Sequence, residues 1–336
     1  MATEGGDRGA GDDLALAARA AWLYHSGGLT QSQVAQKLGV PSSKAHRLIM
    51  RATRAGVVRV IVEGPIAACL DAELDLAQRF GLRFCRVVPE IDGEGASLPL
   101  LALGTAAASF ILGVLERDEH RIIGFGHGRT LGAAVDRLPA VAVPNACFVS
   151  LLGGLTQRTG TSPFDVIHKL AEKTGGEAWL MPVPFLANTA ADRAVLLAQR
   201  GIGEAVALAA QATLCLVGIG EVAGGAFLAA SGVVAPGEVE ALLAAGAVGE
   251  VLGHYFDGQG RPVDTPLHRR VIAVLPQAAE DRLVVGVAGG ASKVAAIRAV
   301  LRSGTLGGLI TDEPTAQRLL ADEPAHHKRE EDVDAR

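Results

Sequence analysis

An α/β chain headed by a small helix-turn-helix module is the fold class that the sequence predicts, and three observations predict it. Residues 14–62 hold seven Lys or Arg and no Asp or Glu, in helical patterns broken at Gly27-Gly28 and at Gly39-Val40-Pro41. From Phe84 onward, short β-branched runs alternate with helical ones. Several of those runs end in glycine. With 49% hydrophobic and 20% charged residues over 336 positions, the chain can bury a large core, which excludes a disordered, collagenous or coiled-coil protein. The expected organisation is a disordered tail over 1–13, a helix-turn-helix domain over 14–63, a linker helix over 64–80, an α/β ligand-binding domain over 81–320 and a flexible tail over 321–336.

The N-terminal module comes first. Leu14, Ala17, Ala18, Ala21, Trp22 and His25 lie at helical spacing as an apolar face. Thr30 has the side chain to cap a second helix, whose inner face is Val34, Ala35 and Leu38. Gly39 supplies the corner, and Pro41 and Ser42 open a third helix with Ala45, Leu48 and Ile49 inward. That leaves Ser42, Ser43, Lys44, His46, Arg47, Met50 and Arg51 outward. The module carries +7 of a net charge of −5, so the remainder carries −12. A cationic face without acidic partners points to a polyanion, and a recognition helix of this kind meets double-stranded DNA in the major groove. Ser42, Ser43, Lys44 and His46 can reach base edges or phosphates, Arg47 a guanine edge, and Arg51 and Arg54 phosphate. The run Arg54 to Val62 alternates like a strand, as the wing of a winged module would.

Ile66, Leu70, Leu74, Ala77 and Phe80 then form a stripe that predicts the linker helix. The runs FCRVVP, RIIGFG, CFVSLLGG, AWLMPVP, TLCLVGIG, VIAVLP, LVVGVAGG and GGLITD read as strands of a mostly parallel sheet covered by helices on both faces. Glycine-rich ends of parallel strands bring backbone N–H groups close to a ligand. In Gly124-Phe-Gly-His-Gly-Arg-Thr130 the spacing is not that of a dinucleotide fingerprint, and no Walker lysine follows. Its Gly126, Gly128, Arg129 and Thr130 suit a phosphate or a hydroxyl-rich ligand. Lys293 opens another helix within reach of a similar group, and Asp257 can accept hydroxyls or form an Asx-turn. Asp312 and Glu313 end a strand, as a helix cap or as ligand contacts.

Other function classes find little support. Cys69, Cys85, Cys147 and Cys215 show no CxxC pair, which predicts buried thiols in a reducing compartment. His127, His168 and His254 lack metal-ligand spacing, so neither a metal nor another cofactor is expected. The acidic start MATEGGDRGAGDD is no signal peptide. The 21 uncharged residues between Glu94 and Glu116 are long enough to span a bilayer, but Pro99, Gly104, Thr105, Ser109 and Gly113 favour a helix buried in the α/β domain, with no membrane partner. No catalytic arrangement is assigned. A sugar-phosphate enzyme with a basic accessory domain stays open as the alternative, with Asp257, Asp312 and Glu313 as its candidate acid-base groups.

Eight elements in order, from AWLYHSGGLTQSQVAQKLGVPSSKAHRLIMRA through FGHGRT, SLLGG, MPVPF, LVGIG, GAVGEVLGHYFD and AGGASK to LITDE, resemble the SorC family of bacterial transcriptional regulators, related to the DeoR-type sugar regulators. The resemblance spans roughly residues 14–320. It implies a winged helix-turn-helix joined to an effector domain resembling sugar-phosphate isomerases. It also implies an operator-binding, cytoplasmic, non-enzymatic repressor or activator, assembled as a homotetramer and answering to a sugar, polyol or sugar phosphate. Within the family the chain looks most like regulators of erythritol catabolism, through KAHRLI, DVIHKLAEKTGGEAW and VPFLANT. Carried across, the pattern puts Gly126, Gly128, Arg129 and Thr130 in the effector loop, with Gly154, Asp257 and Lys293 around the same pocket. His127 stands where the family commonly has Trp, which changes stacking or pocket size.

Overall fold

The computed structural model describes residues 7–58, 67–90, 99–155, 163–230 and 232–321. The chain divides into two compact units, Met1–Gly64 with Arg137–Val141, and Pro65–Asp136 with Ala142–Arg336.

In the first unit, α1 (Asp7–His25), α2 (Gln31–Leu38) and α3 (Ser42–Arg54) form the helix-turn-helix. Thr30 and Gln33 make a reciprocal capping box at the start of α2, and Gly39 ends it at φ 64°, a left-handed conformation that glycine adopts without a Cβ penalty. Ala17, Ala20, Ala21 and Leu23 of α1 pack with Val34, Ala35, Ala45, Leu48, Ile49 and Ala52. This inner face differs from the expected one. Leu14 and His25 are exposed and Trp22 is 63% exposed, because α1 meets its neighbours through alanines, which allow close approach and leave no room for an indole. Helix α1 also begins at Asp7 rather than after residue 13, and its Asp13 carboxylate pairs with Arg51 Nη1 at 2.8 Å. Arg54 ends α3 and Ala55 to Val58 are a turn followed by irregular chain instead of a strand, and the rest of the wing reading, residues 59–62, lies outside the described residues.

The second unit begins with α4 (Ala67–Phe80), β1 (Phe84–Val88), α5 (Leu100–Arg117), β2 (Ile122–Phe125), α6 (Arg129–Arg137), β3 (Cys147–Ser150), α7 (Pro163–Thr174) and β4 (Glu177–Trp179). It continues through α8 (Ala190–Leu197), α9 (Ile202–Ala210), β5 (Leu214–Gly218), β6 (Gly220–Glu221), α10 (Phe227–Ala230), α11 (Pro236–Ala244), β7 (Ala247–Val251) and β8 (His254–Asp257). The last elements are β9 (Leu283–Val287), α12 (Val294–Arg302), β10 (Gly308–Asp312) and α13 (Glu313–Ala321). Seven strands make one parallel sheet in the order β1-β10-β9-β5-β2-β3-β4. Their fully buried β-branched residues, such as Val284, Val285, Ile310 and Val149, show why they read as continuous apolar runs. A separate antiparallel sheet, β6-β7-β8, escaped the sequence reading.

Two expectations are corrected. VIAVLP is no strand of the sheet; it bridges only locally, Leu186 to Val271 and Leu152 to Ala273. Helix α4 buries Cys69, Ala72 and Leu76, while Leu70 and Leu74 face outward, Leu74 at 70% exposure. The inward face runs in steps of three and four through Cys69, Ala72, Leu76 and the partly buried Phe80, with Ala77 partly buried alongside, so the expected stripe is out of phase only at Leu70 and Leu74; Ile66 lies outside the described residues. Helix α5, long and apolar enough to cross a membrane, buries Leu103, Ala107, Ile111 and Leu115 within this unit. All four cysteines are free thiols; Cys85 is half-buried and the rest are buried.

Candidate functional site

The outer face of α3 is the first site. Ser42, Ser43, Lys44, His46, Arg47, Met50 and Arg51 are all exposed, while Ala45, Leu48, Ile49 and Ala52 anchor the helix. No acidic residue occupies the first turn and no side chain caps it, so the helix start offers amides as well as the Lys44 ammonium. His46 Nδ1 sits 3.2 Å from Gln31 Nε2 of α2. Arg47 has no charged partner among the described residues, whereas Arg51 shares its charge with Asp13 across an exposed ion pair of little net worth. An arginine in solvent on a helix built to enter a groove can form a fork with a guanine edge.

The second site follows from chain order. Strands β2, β3 and β4 progress one way across the sheet, and β5, β9 and β10 progress the other way. The reversal falls between β2 and β5, which pair directly, Phe125 opposite Leu216. At such a switch point the following loops diverge and leave a crevice at the carboxyl ends of the strands. Here the crevice is a cavity of about 80 Å³ lined by His127, Gly128, Arg129 and Thr130 after β2, and by Gly218 to Glu221 after β5. The antiparallel sheet adds Glu250 and Tyr255, the loop before α12 adds Lys293, and Val222, Leu228, Val234 and Leu242 complete an apolar wall.

Its electrostatics are mixed. Lys293 Nζ donates to the Ile219 carbonyl at 2.7 Å, and burial and Arg129 lower its pKa while Glu221 and Glu250 oppose that. Burial pushes the Glu250 carboxyl up to about 7, against the opposing influence of the Gly253 N–H and Lys293. Burial also pushes His127 down to about 4, so its imidazole is neutral at pH 7, and its ring lies 6.0 Å from that of Phe185. The cavity thus presents two cations, two carboxyls, the Thr130 hydroxyl and apolar walls, which suits a small polyhydroxy ligand, neutral or esterified.

The structure brings together His127, Gly128, Arg129, Thr130 and Lys293 and leaves three of the expected residues outside the lining. Gly126 donates to the Leu216 carbonyl at 2.8 Å and keeps β2 and β5 close. Gly154 pairs with Val183 and Phe185 through its backbone. Asp257 accepts from the Gln259 and Arg261 amides at 2.9 Å and from Arg261 Nε at 2.8 Å, closing a turn after β8; those bonds hold its pKa below the usual range. Asp312 accepts from the Gly290 and Thr315 amides, both at 3.0 Å, and Glu313 accepts from Gln317 at 3.1 Å. Sequence reasoning missed Glu221, Glu250 and Tyr255. Glu250 did carry a signal, as a lone acid inside the apolar run Ala247 to Leu252.

Known proteins resemble the chain over most of its length. Residues 64–321 match the family model of a sugar-binding domain, Sugar-bind. The erythritol catabolism regulatory protein EryD of Brucella abortus is 52% identical over 308 residues, which cover 92% of this chain and 97% of that protein. The transcriptional regulator LsrR of Klebsiella pneumoniae is 32% identical over 311 residues, 91% of this chain and 93% of that protein. The crystal structure of the full-length sorbitol operon regulator SorC from Klebsiella pneumoniae superposes with a TM-score of 0.67 at 26% identity, covering 92% of this chain and 99% of that one. A mixed α/β body behind a helix-turn-helix, a matching sugar-binding domain and relatives of nearly equal length together show that the chain belongs to the SorC family of sugar-binding transcriptional regulators.

Proposed function

We propose that this regulator binds the operator of a polyol catabolism operon through the outer face of α3, and that a polyol or its phosphate in the switch-point cavity controls that binding. The observation that carries the reading is the cavity itself, where Arg129, Lys293, Glu221 and Glu250 converge at the reversal of strand order between β2 and β5. The relative from Brucella abortus, named for erythritol catabolism, directs attention to erythritol as the first ligand to test. The remaining parts of the reading are a cytoplasmic location beside the DNA, a homotetramer that presents paired helix-turn-helix modules, and no catalysis.

The mechanism needs two arrangements of the effector domain, one of which binds ligand better. A hundredfold difference in affinity supplies about 2.7 kcal/mol, enough to move an operator complex from mostly bound to mostly free. Half-sites lie about 34 Å or its multiples apart, so a small change in the spacing of paired modules misplaces one recognition helix. Fluorescence polarisation on the DNA upstream of the neighbouring operon tests the reading. A steep salt slope with release by a polyol or its phosphate supports it, and absence of binding at micromolar protein overturns it.

A further inference from the structure

Glu250 is a carboxyl that the fold takes care to keep inside the cavity. It lies in β7 between β6 and β8 and is buried. Two glycines accommodate it. The Gly253 N–H donates to Oε1, and Gly220, its partner in the β6–β7 register, has no side chain where Oε2 lies; a Cβ there would collide with that oxygen. Oε2 receives no hydrogen bond among the described residues, and Glu250 belongs to the cavity lining.

The charges around it are few. Lys293 faces it from the loop before α12 and also feels Glu221 of β6 and Arg129 of α6. Tyr255 of β8 stays protonated through burial, with Glu250 and Glu238 of α11 adding to the effect, and Glu238 pairs with Arg270. On α12, Arg298 donates to the Arg318 carbonyl and Arg302 to the Gly258 carbonyl. His127 is neutral. One ammonium, shared with a second carboxylate, therefore offsets the burial of Glu250 incompletely, and its pKa of about 7 agrees with that balance.

We propose that Glu250 is a specificity-determining acceptor for ligand hydroxyls, and that it releases its proton to solvent when a neutral polyol binds, so that the response to effector strengthens as pH rises. The proposal rests on reading the cavity as the effector site. A carboxylate accepts hydroxyl hydrogen bonds better than a carboxylic acid does, so hydroxyls donated to Oε2 favour the ionised form. The proton passes to buffer and no covalent bond changes. A phosphate dianion beside Lys293 would act in the opposite sense, because a second negative charge nearby favours the protonated carboxyl.

Isothermal titration of the full chain with erythritol, in buffers of different ionisation enthalpy, reads the proton directly. Erythritol 4-phosphate is the comparison arm. The expected result is proton release with erythritol and an affinity about tenfold higher at about pH 8 than at about pH 6, as linkage to a single group requires. Glu250→Gln is expected to exchange no proton and to bind equally at both pH values, while Glu250→Asp retains the release. Carbon-13 resonances of the ligand-free protein are expected to include one carboxyl titrating near neutrality that Glu250→Gln removes. Erythritol binding without proton release, release that survives in Glu250→Gln, or tighter binding at acid pH overturns the proposal alone. Binding of neither compound overturns the effector reading with it.

Discussion

Asp312 and Gly290, 22 positions apart, are joined by a 3.0 Å hydrogen bond from the Gly290 N–H to the Asp312 carboxylate. The same carboxylate accepts from Thr315 Oγ1 at 2.8 Å and from its amide at 3.0 Å. The end of β10, the start of α13 and the loop that carries Lys293 are thereby one network. Gly289 beside it has no space for a Cβ, which would strike Asp312 Oδ2.

Asp312→Ala removes the acceptor for three donors, two of them in or beside a buried helix start. The expected cost is about 1–3 kcal/mol of stability, read as a lower midpoint in urea. The Gly290 N–H keeps its 2.8 Å bond to Thr315 Oγ1 but loses the Asp312 carboxylate that fixes Thr315, so the loop carrying Lys293 is loosened and ligand affinity is expected to fall severalfold under conditions where the variant is still folded. Calorimetric binding equal to that of the parent would show that Asp312 serves α13 alone.

Gly220→Ala places a methyl against Glu250 Oε2. Since Glu250 is buried and anchored by the Gly253 N–H, the carboxylate must turn or the strand must shift. Loss of the ligand response with unchanged operator affinity is the expected outcome in fluorescence polarisation. A variant that responds at the parent's ligand concentration would mean that the ligand avoids this corner of the cavity.

The sequence made the parallel strands legible because they are buried on both faces and read as unbroken β-branched runs, as in Leu283 to Val287. It made α2 and α3 legible through Thr30, Gly39 and Pro41, whose local chemistry acts without tertiary context. Strand order was not legible, and so the switch point between β2 and β5, which gathers the cavity, could not be foreseen. Asp257 attracted attention by following an apolar run, yet Arg261 four residues on takes its carboxylate. Trp22 and Leu74 looked like core by size and spacing and lie outside: α1 packs through alanines closer than an indole allows, and α4 turns Cys69, Ala72 and Leu76 inward in place of Leu74.

Stability should fall as pH rises through neutrality on account of Glu250. Its folded pKa of about 7 stands above an unfolded value near 4.5, so the native state holds the extra proton between those limits. Its contribution is complete below about pH 4.5 and is lost as pH rises to about 7, roughly 3 kcal/mol in all. His127, shifted down to about 4, acts in the opposite sense as pH falls below its ordinary value, so the parent and Glu250→Gln must be compared at each pH. Urea midpoints should favour Glu250→Gln at about pH 8 and converge with the parent at about pH 4.5. Parallel curves across that range would place the Glu250 pKa at its ordinary value.

Arg47 and Arg129 separate the two halves of the function. Arg47 is exposed on α3 without a charged partner among the described residues, so Arg47→Ala removes a free fork from the recognition face. The expected loss is about 1–3 kcal/mol in specific operator binding, with relaxed preference at one base position. Arg51→Ala removes a phosphate contact instead, so it should weaken binding evenly across sequences and reduce the salt slope by about one. Arg129→Ala, on the cavity rim, should leave operator affinity intact and abolish release by ligand. Polarisation titrations of all three variants at two salt concentrations, with and without erythritol and its phosphate, give four independent readings. Release of Arg129→Ala at the parent's ligand concentration would move the anion-binding end of the cavity away from α6, and an unchanged operator affinity in Arg47→Ala would move base recognition to the serines and Lys44 at the start of α3.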